Sequence, residues 1–261
     1  MTERCDPIAT SPTATVARPC VVVSQPMYFP WMGLLQQIRC ADVFVFYDDV
    51  QFARGFFNRV QIKCADGIRW MTVPLRDQHR GQAIRDVRID TSADWRRSHR
   101  ALLARALAPA PYVGDALALV DAVFAEEYDD LAALGRASTL ALARYFGLDA
   151  GRRFLVSSEL GIPGRSTERL VALCRETGAK TYLTGHGARH YLEHAAFEQE
   201  GMAVSYIDYG LGPYPQAHGA FTPYVSALDL VAQCGREGVR HLTGAPVDWR
   251  TFVAKHPDRE S

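Results

Sequence analysis

The sequence predicts an α/β fold: a Rossmann-like, mostly parallel sheet flanked by helices, with a helical block inserted mid-chain and a small β-hairpin. Three observations predict it. Short apolar runs alternate with helical periods toward both ends of the chain, the order that builds parallel sheets. An Ala- and Leu-rich stretch separates these two regions. Beside the first of them, a period-two segment is broken by a turn.

The elements follow in order. Val21-Val-Val-Ser24 is a buried strand, and Gln25 to Pro30 is irregular, because Pro26 and Pro30 each fix φ and remove a donor. Leu34, Leu35 and Ile38 give a short helix one apolar face. Asp42-Val-Phe-Val-Phe-Tyr47 is the next strand and closes a βαβ unit. Phe57 to Lys63, the turn Ala65-Asp-Gly67 and Arg69 to Pro74 form the hairpin, and Ile84 to Ile89 reads as another short strand. Asp94 caps a helix carrying Trp95, His99, Leu102, Leu103 and Leu107, and Val113 to Phe146 supplies two more helices. Phe154-Leu-Val156 is a strand. A second unit follows: helix 166–176, strand Thr181-Tyr-Leu183, a Gly185-His-Gly187 loop, helix 188–199 and strand 202–207. Tyr209 to Pro223 reads as a surface loop and Val225 to Cys234 as a final helix. The expected organisation is a disordered lead-in over residues 1–19, one domain over 20–237 with its helical segment at about 92–147, and a C-terminal tail over 238–261.

Composition narrows the function. The chain has 261 residues, 48% of them hydrophobic, enough for a large core. Lys plus Arg (29) equals Asp plus Glu (29), and this balance speaks against a nucleic-acid or membrane-surface protein. The first twenty residues lack the apolar core of a secretory signal, and nothing approaches the roughly 18 apolar residues of a membrane span, so a cytoplasmic location is expected. The six cysteines, at 5, 20, 40, 64, 174 and 234, have no zinc spacing and are expected as reduced thiols. No metal and no cofactor is expected from these patterns.

Ligands of open parallel sheets bind at the carboxyl edges of strands. Three loops have that placement: Gln25–Gly33, Asp48–Arg59 and Thr184–Tyr191. In the first, Gln25 and Tyr28 offer hydrogen bonds, Phe29 and Trp31 offer flat apolar surface, and Gly33 opens a helix start to an anion. In the second, Asp48 and Asp49 can serve as a general base through mutually raised pKa values, or hold Mg²⁺; Gln51, Asn58 and Arg59 follow as polar contacts, with Arg59 a clamp for phosphate or carboxylate. The third brings Gly185, His186, Arg189, His190 and Tyr191 to a helix start. His99 shares a helix face with Trp95 and is either a core histidine or a base.

The motifs Gln25-Pro-Met-Tyr-Phe-Pro-Trp-Met-Gly33, Ala41-Asp-Val-Phe-Val-Phe-Tyr-Asp-Asp-Val-Gln-Phe52, Asn58-Arg-Val-Gln-Ile-Lys63 and Trp70-Met-Thr-Val-Pro74 resemble the WbqC-like family. So do Trp95 with His99, Ala110-Pro-Tyr112, the run Gly178 to Leu192, Tyr214-Pro-Gln216 and Ser226-Ala-Leu-Asp-Leu230. The resemblance spans residues 20 to 235. It implies small-molecule biosynthesis in O-antigen and other specialised loci, adds Gln216 to the substrate contacts, and marks His186 as a departure from the small residue or Pro common at that position. A more distant similarity links the opening segment to nucleotidylyltransferases of the HIGH superfamily, pantothenate synthetases included. There a His-x-Gly-His element binds triphosphate; here Trp31 and Leu34 stand in place of the two histidines and cannot donate those hydrogen bonds.

Three functions are weighed. The first is transfer of an acyl or aminoacyl group to an amine of a small molecule or amino sugar, from a donor such as a thioester on an acyl- or aminoacyl-carrier protein. Asp49, Asp48 or His99 would be the base, with Gln25, Asn58 or Arg59 stabilising the oxyanion. The second is ATP- and Mg²⁺-dependent nucleotidylyl transfer or ligation. The third is non-catalytic binding of a sugar nucleotide or metabolite. The missing His-x-Gly-His lowers the second and the density of polar groups in adjacent loops lowers the third.

Overall fold

The computed structural model describes residues 16–256. Along the chain run β1 (Cys20–Ser24), α1 (Met32–Cys40), β2 (Val43–Phe46), β3 (Arg59–Cys64), β4 (Gly67–Thr72), β5 (Leu75–Arg76) and β6 (Arg88–Ile89). The helical block is α2 (Trp95–Ala106), α3 (Val113–Phe124) and α4 (Leu131–Tyr145). Then come β7 (Arg153–Val156), α5 (Ser157–Leu160), α6 (Ser166–Glu176), β8 (Thr181–Thr184), α7 (His194–Gln199), β9 (Ala203–Asp208), α8 (Ala227–Cys234), β10 (Ala245–Asp248) and α9 (Trp249–Lys255).

Six strands make one sheet in the order β10-β9-β8-β1-β2-β7. All its pairs are parallel except β10 with β9. The α/β, mostly parallel architecture with helices between strands is therefore the one the sequence predicts. Val21 to Val23 and Val43 to Phe46 are buried on both faces, as expected of central parallel strands. One apolar cluster joins α1, the helical block and α8 on one face; another joins α6, α7 and α9 on the other.

The order of strands places a switch point. From β1 the chain steps to β2 and β7 on one side, whereas β8, β9 and β10 lie on the other. The carboxyl ends of β1 and β8 therefore diverge into loops running in opposite directions, which opens a crevice between them.

The helical block holds the loop after β1. Asp94 caps α2 by accepting from the Arg97 amide at 3.0 Å, and Asp130 caps α4 by accepting from Ala133 at 2.7 Å; such caps contribute about 1 kcal/mol each. On α4, a Cβ at Gly135 would meet Pro26 Cβ at 3.1 Å and its backbone carbon at 3.2 Å, so glycine lets the loop lie against the helix. Ser138 and Thr139, one turn on, both donate to the Met27 carbonyl, and Ser138 Oγ accepts from the Phe29 amide. These bonds hold Phe29 at φ 39°, a conformation that L residues seldom adopt.

Several boundaries differ from expectation. Ile84–Asp86 is a 3₁₀ turn, and only the two residues of β6 pair, with β5. The helix expected over 188–199 divides into a 3₁₀ turn, His186–His190, and the short α7. The stretch expected as a C-terminal tail instead carries β10 and α9. Pro246 suits β10 to the sheet's edge, where a missing donor is tolerated, and Phe252 of α9 is buried with its ring stacked 4.5 Å from Tyr206. Of the expected N-terminal lead-in, residues 1–15 lie outside the described residues. Among the described residues no helix is long and apolar enough to cross a membrane.

Candidate functional site

A cavity of about 990 Å³ occupies the crevice at the switch point. Its floor is the carboxyl ends of four strands, represented by Ser24 of β1, Tyr47 after β2, Thr184 of β8 and Asp208 of β9.

Trp31 forms one wall. It precedes α1, and its indole folds back over Gly33, where a Cβ would sit 2.3 Å from the ring. Glycine is needed at that position for tryptophan to lie down. The indole therefore takes the space over the start of α1 that the sequence offered to an anion. It also lies 5.0 Å from the Tyr209 ring and 5.8 Å from that of Tyr224, making an aromatic platform. Gln37 donates to the Tyr209 hydroxyl at 2.7 Å, and burial pushes that phenol up to about 12. Gln36, fully buried, fixes the next residue by donating to the Gly210 carbonyl and accepting from its amide, both at 2.9 Å.

His186 also lines the cavity, with its ring 4.9 Å from Tyr209 and 4.7 Å from Phe252. Its Nε2 lies 2.8 Å from the Ile207 carbonyl, which only accepts, so Nε2 carries the proton and Nδ1 keeps a lone pair. Burial lowers its pKa below the ordinary histidine value; the Ile207 carbonyl opposes that shift and the neighbouring His256 adds to it. Tyr191 and Tyr224, each more than half exposed, form the lips. Among the described lining residues there is no Lys or Arg.

Of the residues expected at the site, the structure brings Gln25, Trp31, Gly185, His186 and Tyr191 to the cavity wall. It places the others elsewhere. Asp48 is 2% exposed; it accepts from the Ser158 amide and hydroxyl at 3.1 and 2.9 Å and pairs with Arg136 at 3.2 Å. Asp49 accepts from Ser157 at 2.6 Å and is paired with Arg169. Burial alone would raise the Asp49 carboxyl, but the bonds from Arg169 and Ser157 and the Arg169 charge outweigh it and hold the pKa below the usual carboxylate value. That is opposite to a carboxylate tuned as a base, and it corrects the expectation of a raised pKa at Asp49. The two aspartates instead tie the end of β2 to α5, α4 and α6.

His99 is likewise a core residue. Its Nε2 donates to the Thr72 carbonyl at 3.1 Å, and its Nδ1 accepts from the fully buried Tyr28 hydroxyl at 3.0 Å. Burial drives its pKa down to about 4, against a smaller opposing effect of Thr72. Asn58 is buried and donates to the Val73 carbonyl, while Gln51 is exposed and bridges to Ala83. Arg59 lies 4.3 Å over the Trp70 ring on the hairpin, outside the cavity. Gln216 belongs to a buried network with Lys63, Tyr214 and Asp229 that anchors the 209–223 segment.

Sequence reading missed Gln37, Ser166, Asp208, Tyr209, Tyr224 and His256 as lining residues. The strand-edge rule applied to strand 202–207 would have found Asp208 and Tyr209. Nothing local marks the rest, which arrive through α1, α6, the segment before α8, and the end of α9.

The WbqC-like protein family matches residues 25–241. An uncharacterised protein of Mycobacterium tuberculosis (strain ATCC 25618 / H37Rv), Rv1507c, is 34% identical over 226 residues, covering 85% of this chain and 96% of that protein. No solved structure matches. A match over most of the chain, on the loops that build the cleft, shows that this protein belongs to the WbqC-like family.

Proposed function

We propose that the protein is a biosynthetic enzyme, a transferase that moves an acyl or aminoacyl group from a thioester onto an amine (or hydroxyl) of a small molecule, an amino sugar among the candidates, bound in the switch-point cleft. His186, not Asp49 or His99, is the base. The observation that carries this reading is geometric: Ile207 holds His186 in the tautomer that leaves a lone pair on Nδ1, on a side chain exposed in the cleft wall. The amine attacks the thioester carbonyl; the N–C bond forms, the C–S bond breaks, and the proton leaving nitrogen passes to His186 Nδ1 and then to the departing thiolate. The Trp31–Tyr209–Tyr224 platform holds an apolar or ring face of the substrate, and Gln25 and Thr184 give directed hydrogen bonds.

Nucleotidylyl transfer draws less support. No Lys or Arg is present among the described lining residues to meet a triphosphate, and the Asp48 and Asp49 oxygens are engaged by Arg136, Arg169, Ser157 and Ser158. Acceptor-dependent release of thiol from an acyl pantetheine thioester tests the assignment. His186→Ala is expected to lower kcat/KM about 100-fold or more. Wild-type kcat/KM is expected to fall as pH drops through a pKa below the ordinary 6.5 of histidine. Full activity in His186→Ala contradicts it.

A further inference from the structure

The outward face of the β3–β4 hairpin is apolar where solvent would favour polar residues. Phe56, Ile68 and Trp70 are 51%, 45% and 41% exposed, and the Phe56 and Trp70 rings lie 5.7 Å apart. Arg59 stacks on Trp70, and its Nε is buried without a hydrogen-bond partner among the described residues. An exposed Trp–Phe pair carrying an under-bonded guanidinium has the composition of an interface hot spot.

Two further observations say what covers it. The first is charge. Residues 53–88 hold eight Lys and Arg against three Asp and no Glu, in a chain whose net charge is zero. Three of those arginines pair with neighbouring aspartates, Arg69 with Asp66, Arg76 with Asp77 and Arg85 with Asp86. Arg54, Arg59, Arg80 and Arg88 have no such partner among the described residues. Lys63 is buried on Gln216, Gly219 and Ala220, but Arg54, exposed two residues from Phe56, and Arg59, stacked on Trp70, make the patch complementary to carboxylates, which Arg binds bidentately. Its cations are interleaved with aspartates, which suits a folded acidic surface better than a continuous phosphate backbone.

The second is continuity with the cleft. Phe57, beside Phe56, lines the cavity. Gln61, opposite Trp70 in the hairpin register, bridges to Val225, whose neighbour Tyr224 packs on Trp31. The hairpin therefore adjoins, through the Gln61–Val225 bridge, the segment that carries Tyr224 of the substrate platform.

We propose that this face docks an acidic carrier protein that presents the thioester-bound acyl or aminoacyl donor to the cleft. The proposal rests on the transfer reading for the role of the partner, though not for the contact itself. The test uses the full chain, an acyl-loaded acidic acyl-carrier protein, the same acyl group on pantetheine, and a single-stranded RNA. In Arg54→Glu/Trp70→Ala, kcat/KM for the carrier-borne donor is expected to fall at least tenfold, more at low than at high salt, with the pantetheine donor changed less than twofold. Equal loss with both donors, or none with either, overturns the docking site, as does RNA binding tighter than carrier binding. Arg54→Glu alone, at an exposed loop position, supplies a well-folded variant. If the wild type turns over neither donor, the transfer reading fails and docking is judged by binding. A carrier Kd at least tenfold weaker in the variant supports it, and an unchanged Kd overturns it.

Discussion

Three ionisable residues, His186, His99 and Asp49, take their roles from their surroundings rather than their identity. His186 and His99 are both histidines with depressed pKa values, yet one borders open space and the other is enclosed by Tyr28, Thr72 and Trp95. For His99 the consequence is stability. The unfolded chain protonates this ring near 6.5 and the folded one only near 4, so the unfolded state binds more protons between those values. Stability is therefore lost as pH falls from about 6.5 to about 4, by about 3 kcal/mol for this group. Urea unfolding at pH 7 and pH 4.5 should show a smaller difference in His99→Gln than in the wild type. Asp49 makes the complementary case. Asp49→Asn leaves Arg169, only 9% exposed, without its counter-charge and should lower unfolding free energy by about 3 kcal/mol in denaturant titration.

Among the elements, the loop between β1 and α1 shows how far local sequence reaches. Its irregular path was legible from Pro26 and Pro30, and its place at a strand end was legible from the apolar run before it. The role of Gly33 was not, because the group that fills the space over it is the side chain of Trp31 and not a ligand. A Gly33→Ala change is expected to lift the indole off Tyr209 and Tyr224, shift tryptophan fluorescence and raise KM about tenfold with little change in kcat. An unaltered KM would show that the platform does not touch substrate. The Asp48-Asp49 pair was legible as chemistry, but its partners Arg136, Ser157, Ser158 and Arg169 stand 88 to 120 residues away. No local pattern announces them.

At the scale of the molecule, the alternating pattern sufficed for a parallel sheet, and the strand-edge rule found three of the loops that line its crevice. The C-terminal edge escaped because β10 is four residues long, contains Pro246 and pairs antiparallel. Yet that edge backs the site: α9 packs Phe252 against His186 and Tyr206. Removing residues 245–261 is expected to cost both stability and turnover, seen as a lower unfolding midpoint and loss of thiol release.

The central proposal is that the protein is a transferase whose base lies at the β8 end of the crevice and not on the aspartates at the end of β2. Steady-state transfer by His186→Gln and Asp49→Asn, compared side by side at a temperature where both remain folded, tests it most directly. The account predicts that His186→Gln loses kcat about 100-fold or more, while Asp49→Asn keeps kcat and merely unfolds sooner. Abolished turnover in a folded Asp49→Asn, beside an active His186→Gln, would contradict it.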